Sequence, residues 1–319
     1  MKQGEKLEII KRNVAEVVTE VELENLLNAK KMPVAYCGYE PNGPMHLGHF
    51  VTVIKLMDLV RAGFKVKVLL ADIHAKLNRK GDDKDISRGV ISWRKTFEAI
   101  GLKAEIVLGS DFQFDEVYQS DLLNLAQHST VNRGLRAMQE IARDLKNATI
   151  SQLWYPLMQV EDIKFLKANV AVGGMEQRKV HMMGKDLTGV TGHEFIALHT
   201  PLITSLKGPG QKMSKSIPGS GIAVTDSYEE IKKTLQGAYC PEKDIKDNPI
   251  LQISKLIILP LLNRLEIKRP EKFGGNLTIK EYSELEKIYS LGKLHPLDLK
   301  NAVAEALEKV IAPIRKKIR

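Results

Sequence analysis

Two short stretches of this sequence combine residue types that could handle phosphate. The first is His46-Leu-Gly-His49, which follows a Gly/Pro loop (EPNGPM) and stands where a helix should begin. A helix N-terminus offers backbone N–H groups and a partial positive charge, and both favour phosphate. Histidines three apart share one face of the first turn, and each can donate to a phosphate oxygen. Gly48 has no side chain, so a flat ligand such as adenine can approach the backbone there. Alone, H-x-G-H also fits two ordinary surface histidines. Its place at the end of the first strand, where open α/β sheets bind ligands, points to function. The second stretch is Lys212-Met-Ser-Lys-Ser216, in a loop that also carries Gly208, Pro209, Gly210, Pro218, Gly219 and Gly221. Such a loop can move, and it brings two ammonium groups and two hydroxyls. Closing over a triphosphate, it would stabilise charge on a departing pyrophosphate. A solvated basic linker is the plain alternative.

The elements that position these stretches follow from the hydrophobic pattern. Residues 33–39 (PVAYCGY), 65–74 and 104–109 read as strands, and 46–64 and 86–102 as helices. Strand, helix, strand, helix, strand is half of a doubly wound sheet. Residues 113–150 read as helix throughout, an insertion between the two halves. The alternation resumes with a helix at 155–166, a strand at 169–174, a helix at 176–187 and a strand at 194–203. Beyond the loop at 207–221 no strand is expected. Residues 226–239, 248–265, 278–291 and 295–318 read as helices, with Asp226 and Thr278 as N-caps. The fold class is thus α/β: a Rossmann-type doubly wound parallel sheet with a helical insertion, then an all-α C-terminal domain. The domains are placed at 1–216 and 217–319.

Composition bounds the rest. The chain has 319 residues, 43% hydrophobic and 27% charged, which suits a globular protein rather than a disordered one. Its formal net charge is +9, which suits a polyanionic partner such as nucleic acid. Two cysteines, Cys37 and Cys240, exclude a disulfide scaffold and a Cys-rich zinc module. No cluster of ligating side chains looks like a metal cage. The first residues lack the apolar stretch of a signal peptide, and the longest apolar run, 256–262, is too short for a bilayer. A cytoplasmic protein without membrane contact is expected.

The two motifs together resemble the class I aminoacyl-tRNA synthetases, HLGH standing for their HIGH element and KMSKS for their mobile loop. Further segments narrow the likeness: YCGYEPNG at 36–43, YPLMQVEDIKFL at 155–166, GGMEQRKVH at 173–181, KRPEKFGGNL at 268–277 and HPLDLKNAVAE at 295–305. They resemble the tyrosyl-tRNA synthetases of the archaeal and eukaryotic type, over nearly the whole chain. The resemblance implies that His46, Gly48, His49, Lys212, Met213, Ser214, Lys215 and Ser216 bind ATP, with the two histidines and two lysines acting in catalysis. It implies that Tyr36 and Asp162 flank the hydroxyl of bound tyrosine, and that Tyr155, Gln159 and Gln177 hold its ammonium end. The spacing of Tyr155, Gln159 and Asp162, four and three apart, puts all three on one helix face. A buried phenol needs a donor and an acceptor at once, which a tyrosine and a carboxylate supply. Arg136, Arg178 and Lys179 match positions near the first acceptor base pair of tRNA, and Phe273, His295 and Asp298 match positions at the anticodon. Phe273 could instead pack in a core, and His295 or Asp298 could start a helix. The resemblance further implies tRNA(Tyr), ATP and L-tyrosine as partners, Mg²⁺ travelling with ATP, a homodimer formed through the insertion, and an anticodon-binding role for 217–319. A tryptophanyl-tRNA synthetase shares both signatures, and a synthetase-like RNA-binding protein without activity is the non-enzyme alternative.

Overall fold

The structure, a computed structural model, describes residues 2–142, 144–214 and 217–318. Its main sheet contains β1 (Glu16–Val18), β2 (Val34–Tyr39), β3 (Lys65–Leu70), β4 (Glu105–Leu108), β5 (Val170–Gly174) and β6 (Ile196–Thr200). They lie in the order β1-β6-β5-β2-β3-β4. Neighbours are parallel except β1, which runs antiparallel to β6. The chain winds outward from β2 through β3 to β4, then returns to β5 on the other flank of β2. The carboxyl ends of β2 and β5 therefore border a topological switch point, where sheets of this kind bind ligands. β5 (VAVGG) and β6 (IALHT) are buried along their whole length, as inner strands covered on both faces should be. This is the doubly wound sheet that the alternation predicts.

Several elements differ from expectation. The strand expected at 65–74 stops at Leu70, and Asp72–Leu77 is helical, which sets His74 just past the strand end. β1 is three residues long, too short to show a period. The insertion is not helical throughout: helices Glu116–Gln127 and Val131–Met138 are followed by turns and irregular chain at 139–142 and 144–149. The C-terminal part is not purely helical either. β7 (Leu265–Ile267) and β8 (Leu277–Ile279) form an antiparallel ribbon. Thr278 accordingly lies in a strand and not at an N-cap. The cap expected at Asp226 is Ser227, whose hydroxyl accepts from Glu230 N in a capping box. The helix expected at 248–265 is broken by a π-helical turn at Ser254–Ile258, next to Pro260, which has no N–H to continue the ladder.

Contacts divide the chain into two compact units. One comprises Met1–Gly43, Lys55–Arg94 and Leu102–Pro201; the other comprises Pro44–Ile54, Lys95–Gly101 and Leu202–Arg319. This division falls ahead of residue 216, because the loop bonds within the second unit. Leu206 N donates to Ser220 O, and Tyr239 N donates to Leu206 O.

Candidate active site

The first unit holds a buried polar cluster beside β2 and β5. Tyr36 rises from β2 and is 2% exposed. A Cβ on Gly38 would sit 2.8 Å from the Tyr36 hydroxyl oxygen, so the glycine makes room for it. The helix Ile150–Phe165 contributes Tyr155, Gln159 and Asp162, all buried, as their spacing predicts. Asp162 Oδ1 accepts from Gln113 Nε2 at 2.8 Å and from the Tyr118 hydroxyl at 2.9 Å. Asp162 Oδ2 lies 3.5 Å from His74 Nε2. Neither of those atoms has a hydrogen-bond partner, nor does Gln113 Oε1. Buried polar atoms without partners are uncommon, and three together mark a place for a polar ligand group. Burial pushes the Asp162 carboxyl up to about 7, against the pull of its bonds to Gln113 and Tyr118. Burial also holds His74 down at about 4, so its imidazole is neutral near neutral pH. The Tyr155 ring meets the His74 ring edge-on at 4.6 Å. Gln159 Nε2 donates to Gln177 Oε1 at 3.1 Å.

The two motif histidines stand at the start of the helix Leu47–Arg61, whose opening turns belong to the second unit. Their rings stack with centroids 3.7 Å apart. Gly48 N donates to His46 Nδ1 at 3.1 Å, and His46 N to His49 Nδ1 at 3.3 Å. An Nδ1 that accepts leaves the proton of a neutral imidazole on Nε2, so both rings carry an Nε2–H donor. The backbone N–H groups of this turn bond within the unit. Leu47 N donates to Ile222 O, and His49 N and Phe50 N donate to His46 O. Gly48 N is engaged as well, with His46 Nδ1. Gly48 itself gives way to an imidazole, since a Cβ there would lie 2.9 Å from His46 Cε1. The same Cβ position is 3.8 Å from Met213 O, so the fold brings the two motifs together within this unit. Met213 is buried and its N–H bonds Ile203 O at 2.8 Å, while Lys212 is exposed. Ser214 O accepts from the Ser220 hydroxyl. Lys215 and Ser216 lie outside the described residues.

The residues matched to RNA contacts are spread over both units. Arg136 is exposed on the helix Val131–Met138. Arg178 is held by Glu16 through both carboxylate oxygens, with Nε–Oε2 at 2.8 Å. Lys179 pairs with Glu140 at 2.9 Å. In the second unit Phe273 is 59% exposed, between β7 and β8, with Lys272 Nζ 5.0 Å from its ring. It is therefore not a packing residue. His295 Nδ1 accepts from Leu297 N at 3.1 Å and starts the helix Pro296–Ile318, and Asp298 sits in the first turn.

Residues 28–312 match the model of one family, the class I tRNA synthetases for tryptophan and tyrosine. The chain belongs to that family. It is 46% identical to the tyrosine–tRNA ligase of Methanosarcina mazei over 316 residues, 98% of this chain and 99% of that one. A crystal structure of a tyrosyl-tRNA synthetase from Archaeoglobus fulgidus, complexed with L-tyrosine, superposes with a TM-score of 0.96 at 44% identity, each chain fully covered. A tryptophanyl-tRNA synthetase from Aeropyrum pernix shares the fold at a TM-score of 0.74 and 20% identity, covering 93% of this chain and 81% of that one.

Sequence reasoning did not find Gln113, Tyr118 and His74 around Asp162. They come from three separate elements, and no spacing links them. Only His74 had a usable signal, because it stands beyond the carboxyl end of β3.

Proposed function

We propose that this synthetase joins L-tyrosine to tRNA in two steps. A carboxylate oxygen of tyrosine attacks the α-phosphorus of ATP, giving tyrosyl-adenylate and releasing pyrophosphate. A ribose hydroxyl at the tRNA terminus then attacks the activated carbonyl and releases AMP. Such chemistry needs positioning and charge stabilisation rather than a covalent nucleophile, and no residue is assigned that role. His46 and His49 donate to phosphate through Nε2–H, and Lys212 and Lys215 hold the departing charge from the loop. Mg²⁺ enters with ATP as part of the substrate. Tyr155, Gln159 and Gln177 take the ammonium end of tyrosine.

The observation that carries tyrosine is the buried carboxylate of Asp162 with one oxygen saturated and one bare, in the cluster with Tyr36 and His74. A phenol hydroxyl can donate to that oxygen and accept in return. Amino acid-dependent ATP–pyrophosphate exchange, screened over all twenty amino acids, tests the reading. Tyrosine alone should support exchange; exchange driven by tryptophan, or none, would overturn it.

A pH dependence follows from Asp162. Accepting from the phenol favours the ionised carboxylate. Below about pH 7 the ligand must therefore displace a proton from that site. Tyrosine affinity should weaken as pH falls from about 7, approaching tenfold per pH unit. Calorimetric titration of the wild type and of Asp162→Asn checks this, the variant being expected to lose the dependence.

For tRNA, Arg136, Arg178 and Lys179 engage the acceptor end, while Phe273, His295 and Asp298 engage the anticodon. An exposed ring such as Phe273 is suited to stacking on an unpaired base. Binding should weaken steeply with added salt as lysines and arginines displace counterions. Arg136→Ala should lower the salt slope by about one and leave tyrosine-dependent pyrophosphate exchange intact. A matching loss of exchange would reassign Arg136 to the amino-acid site. The enzyme works in the cytoplasm as a homodimer, joined through the insertion, where Phe114, Val117, Leu123 and Val131 expose apolar side chains.

A further inference from the structure

A row of polar side chains leads from the pocket to the protein surface within the first unit. Gln159 Nε2, which donates to Gln177 Oε1, also lies 3.5 Å from His181 Nε2. His181 Nδ1 is 3.0 Å from His199 Nε2, and His199 Nδ1 is 2.9 Å from Glu16 Oε2. Glu16 is anchored in turn by Arg178. The two imidazoles are buried and stacked, with centroids 5.1 Å apart. Burial and the neighbouring ring hold His181 down at about 3, and burial lowers His199 as well. Each ring is therefore neutral near neutral pH, with one N–H and one bare nitrogen.

The carboxylate sets the direction of the whole row, because it can only accept. His199 must carry its proton on Nδ1 to donate to Glu16, which leaves His199 Nε2 bare. His181 must then carry its proton on Nδ1 to donate to His199, which leaves His181 Nε2 bare. That bare nitrogen and Gln177 Oε1 together take both N–H bonds of the Gln159 amide. Gln159 Oε1 makes no hydrogen bond among the described residues. The end of β5 is shaped to admit the row. A Cβ on Gly173 would lie 2.8 Å from Gln177 Cβ and 3.2 Å from His181 Cε1.

We infer that Glu16, His199 and His181 are positioning residues for amino-acid recognition: they fix the Gln159 amide with its carbonyl oxygen, and not its NH₂, offered to the ligand ammonium group. This rests on the reading of Gln159 and Gln177 as the ammonium end. An ammonium only donates, so a flipped amide would set donor against donor. A pair of histidines that merely filled space would affect every ligand of the pocket alike.

The test uses the full chain and two fragments of tyrosine. Tyramine keeps the amine and lacks the carboxylate; 3-(4-hydroxyphenyl)propanoate keeps the carboxylate and lacks the amine. Binding of both, and of tyrosine, is measured by calorimetry for the wild type, His181→Phe and Glu16→Ala. His181→Phe keeps a ring and removes both nitrogens. It should weaken tyrosine and tyramine by about 10- to 100-fold, and leave the propanoate within about threefold. Glu16→Ala, at the partly exposed end of the row, should shift the same two ligands in the same sense by a smaller factor. It decides the matter if His181→Phe does not fold. Equal weakening of both fragments, or tyramine binding unchanged by Glu16→Ala, overturns the inference. A wild type that binds no tyrosine would instead overturn the reading of the pocket, a result distinct from wild-type binding that the variants leave unchanged.

Discussion

Replacing Lys212 and Lys215 together with alanine is expected to slow tyrosyl-adenylate formation by about 10²- to 10³-fold or more, the scale for removing preorganised charge stabilisation. Tyrosine affinity should stay within about threefold of the wild type. The loop charges matter most as pyrophosphate leaves, so the loss falls on the rate and not on ground-state binding. The backbone of the HLGH turn is engaged within its own unit. All the N–H groups from Leu47 to Phe50 are already bonded within the second unit, to Ile222 O, His46 Nδ1 and His46 O. We assign the phosphate to side chains, the two imidazoles and the loop lysines. Single-turnover adenylate formation, with a separate tyrosine titration, measures the two quantities. A rate within threefold of wild type, with weakened tyrosine binding, would remove this loop from phosphate chemistry.

The fold was legible wherever burial imposes a long pattern. β2, β3, β5 and β6 are apolar runs between helices, and each lies within the range that the pattern gives, β3 and β6 being shorter than expected. β1, β7 and β8 were not legible, because three residues cannot display a period of two against background. The ribbon of β7 and β8 is closed by the KRPEKFGGN segment, whose Pro270, Gly274 and Gly275 signal a turn that local reasoning passed over. The broken helix near Pro260 was missed for a different reason. Residues 249–260 are apolar and buried nearly all round, so the sequence there carries no one-sided period that a π-helical turn could interrupt.

The site was legible where its residues share an element. Tyr155, Gln159 and Asp162 meet on one helix face, and His46 and His49 on one turn, because spacing alone determines this. The partners that tune them are spread across the chain. Gln113 and His74 reach Asp162 from sequence separations of 49 and 88, and Glu16 reaches His199 across 183. Only the winding of the sheet brings such residues together. Gly48 illustrates the same limit, since the motif alone does not show that its small size makes room for the His46 ring.

The largest expected change in specificity comes from Tyr36→Phe combined with Asp162→Ala. The enzyme must accept tyrosine and reject phenylalanine, which lacks one hydroxyl. Sites built to bond a hydroxyl reject the analogue without it by about 10⁴- to 10⁵-fold, a scale known from tyrosyl-tRNA synthetases themselves. The source of that rejection is the unpaired polar atoms that phenylalanine would leave behind, here Asp162 Oδ2 with its neighbours. Removing Tyr36 and Asp162 removes part of that penalty, so tyrosine activation should fall while phenylalanine activation holds or rises. The ratio of kcat/KM for the two amino acids should drop by about 10²-fold or more. Asp162→Ala also takes one of two acceptors from Gln113 Nε2, the other being His74 Nδ1 at 3.4 Å, while the Tyr118 hydroxyl keeps Met158 O at 3.0 Å. Some stability is therefore lost, about 1–3 kcal/mol for one orphaned donor, and the comparison must be made on variant protein shown to be folded by its thermal transition. Because both amino acids are measured on the same folded variant, a loss of stability scales both rates and cancels in the ratio. An unchanged ratio would mean that these two side chains do not read the phenol, and that the discrimination resides with His74 and Gln113.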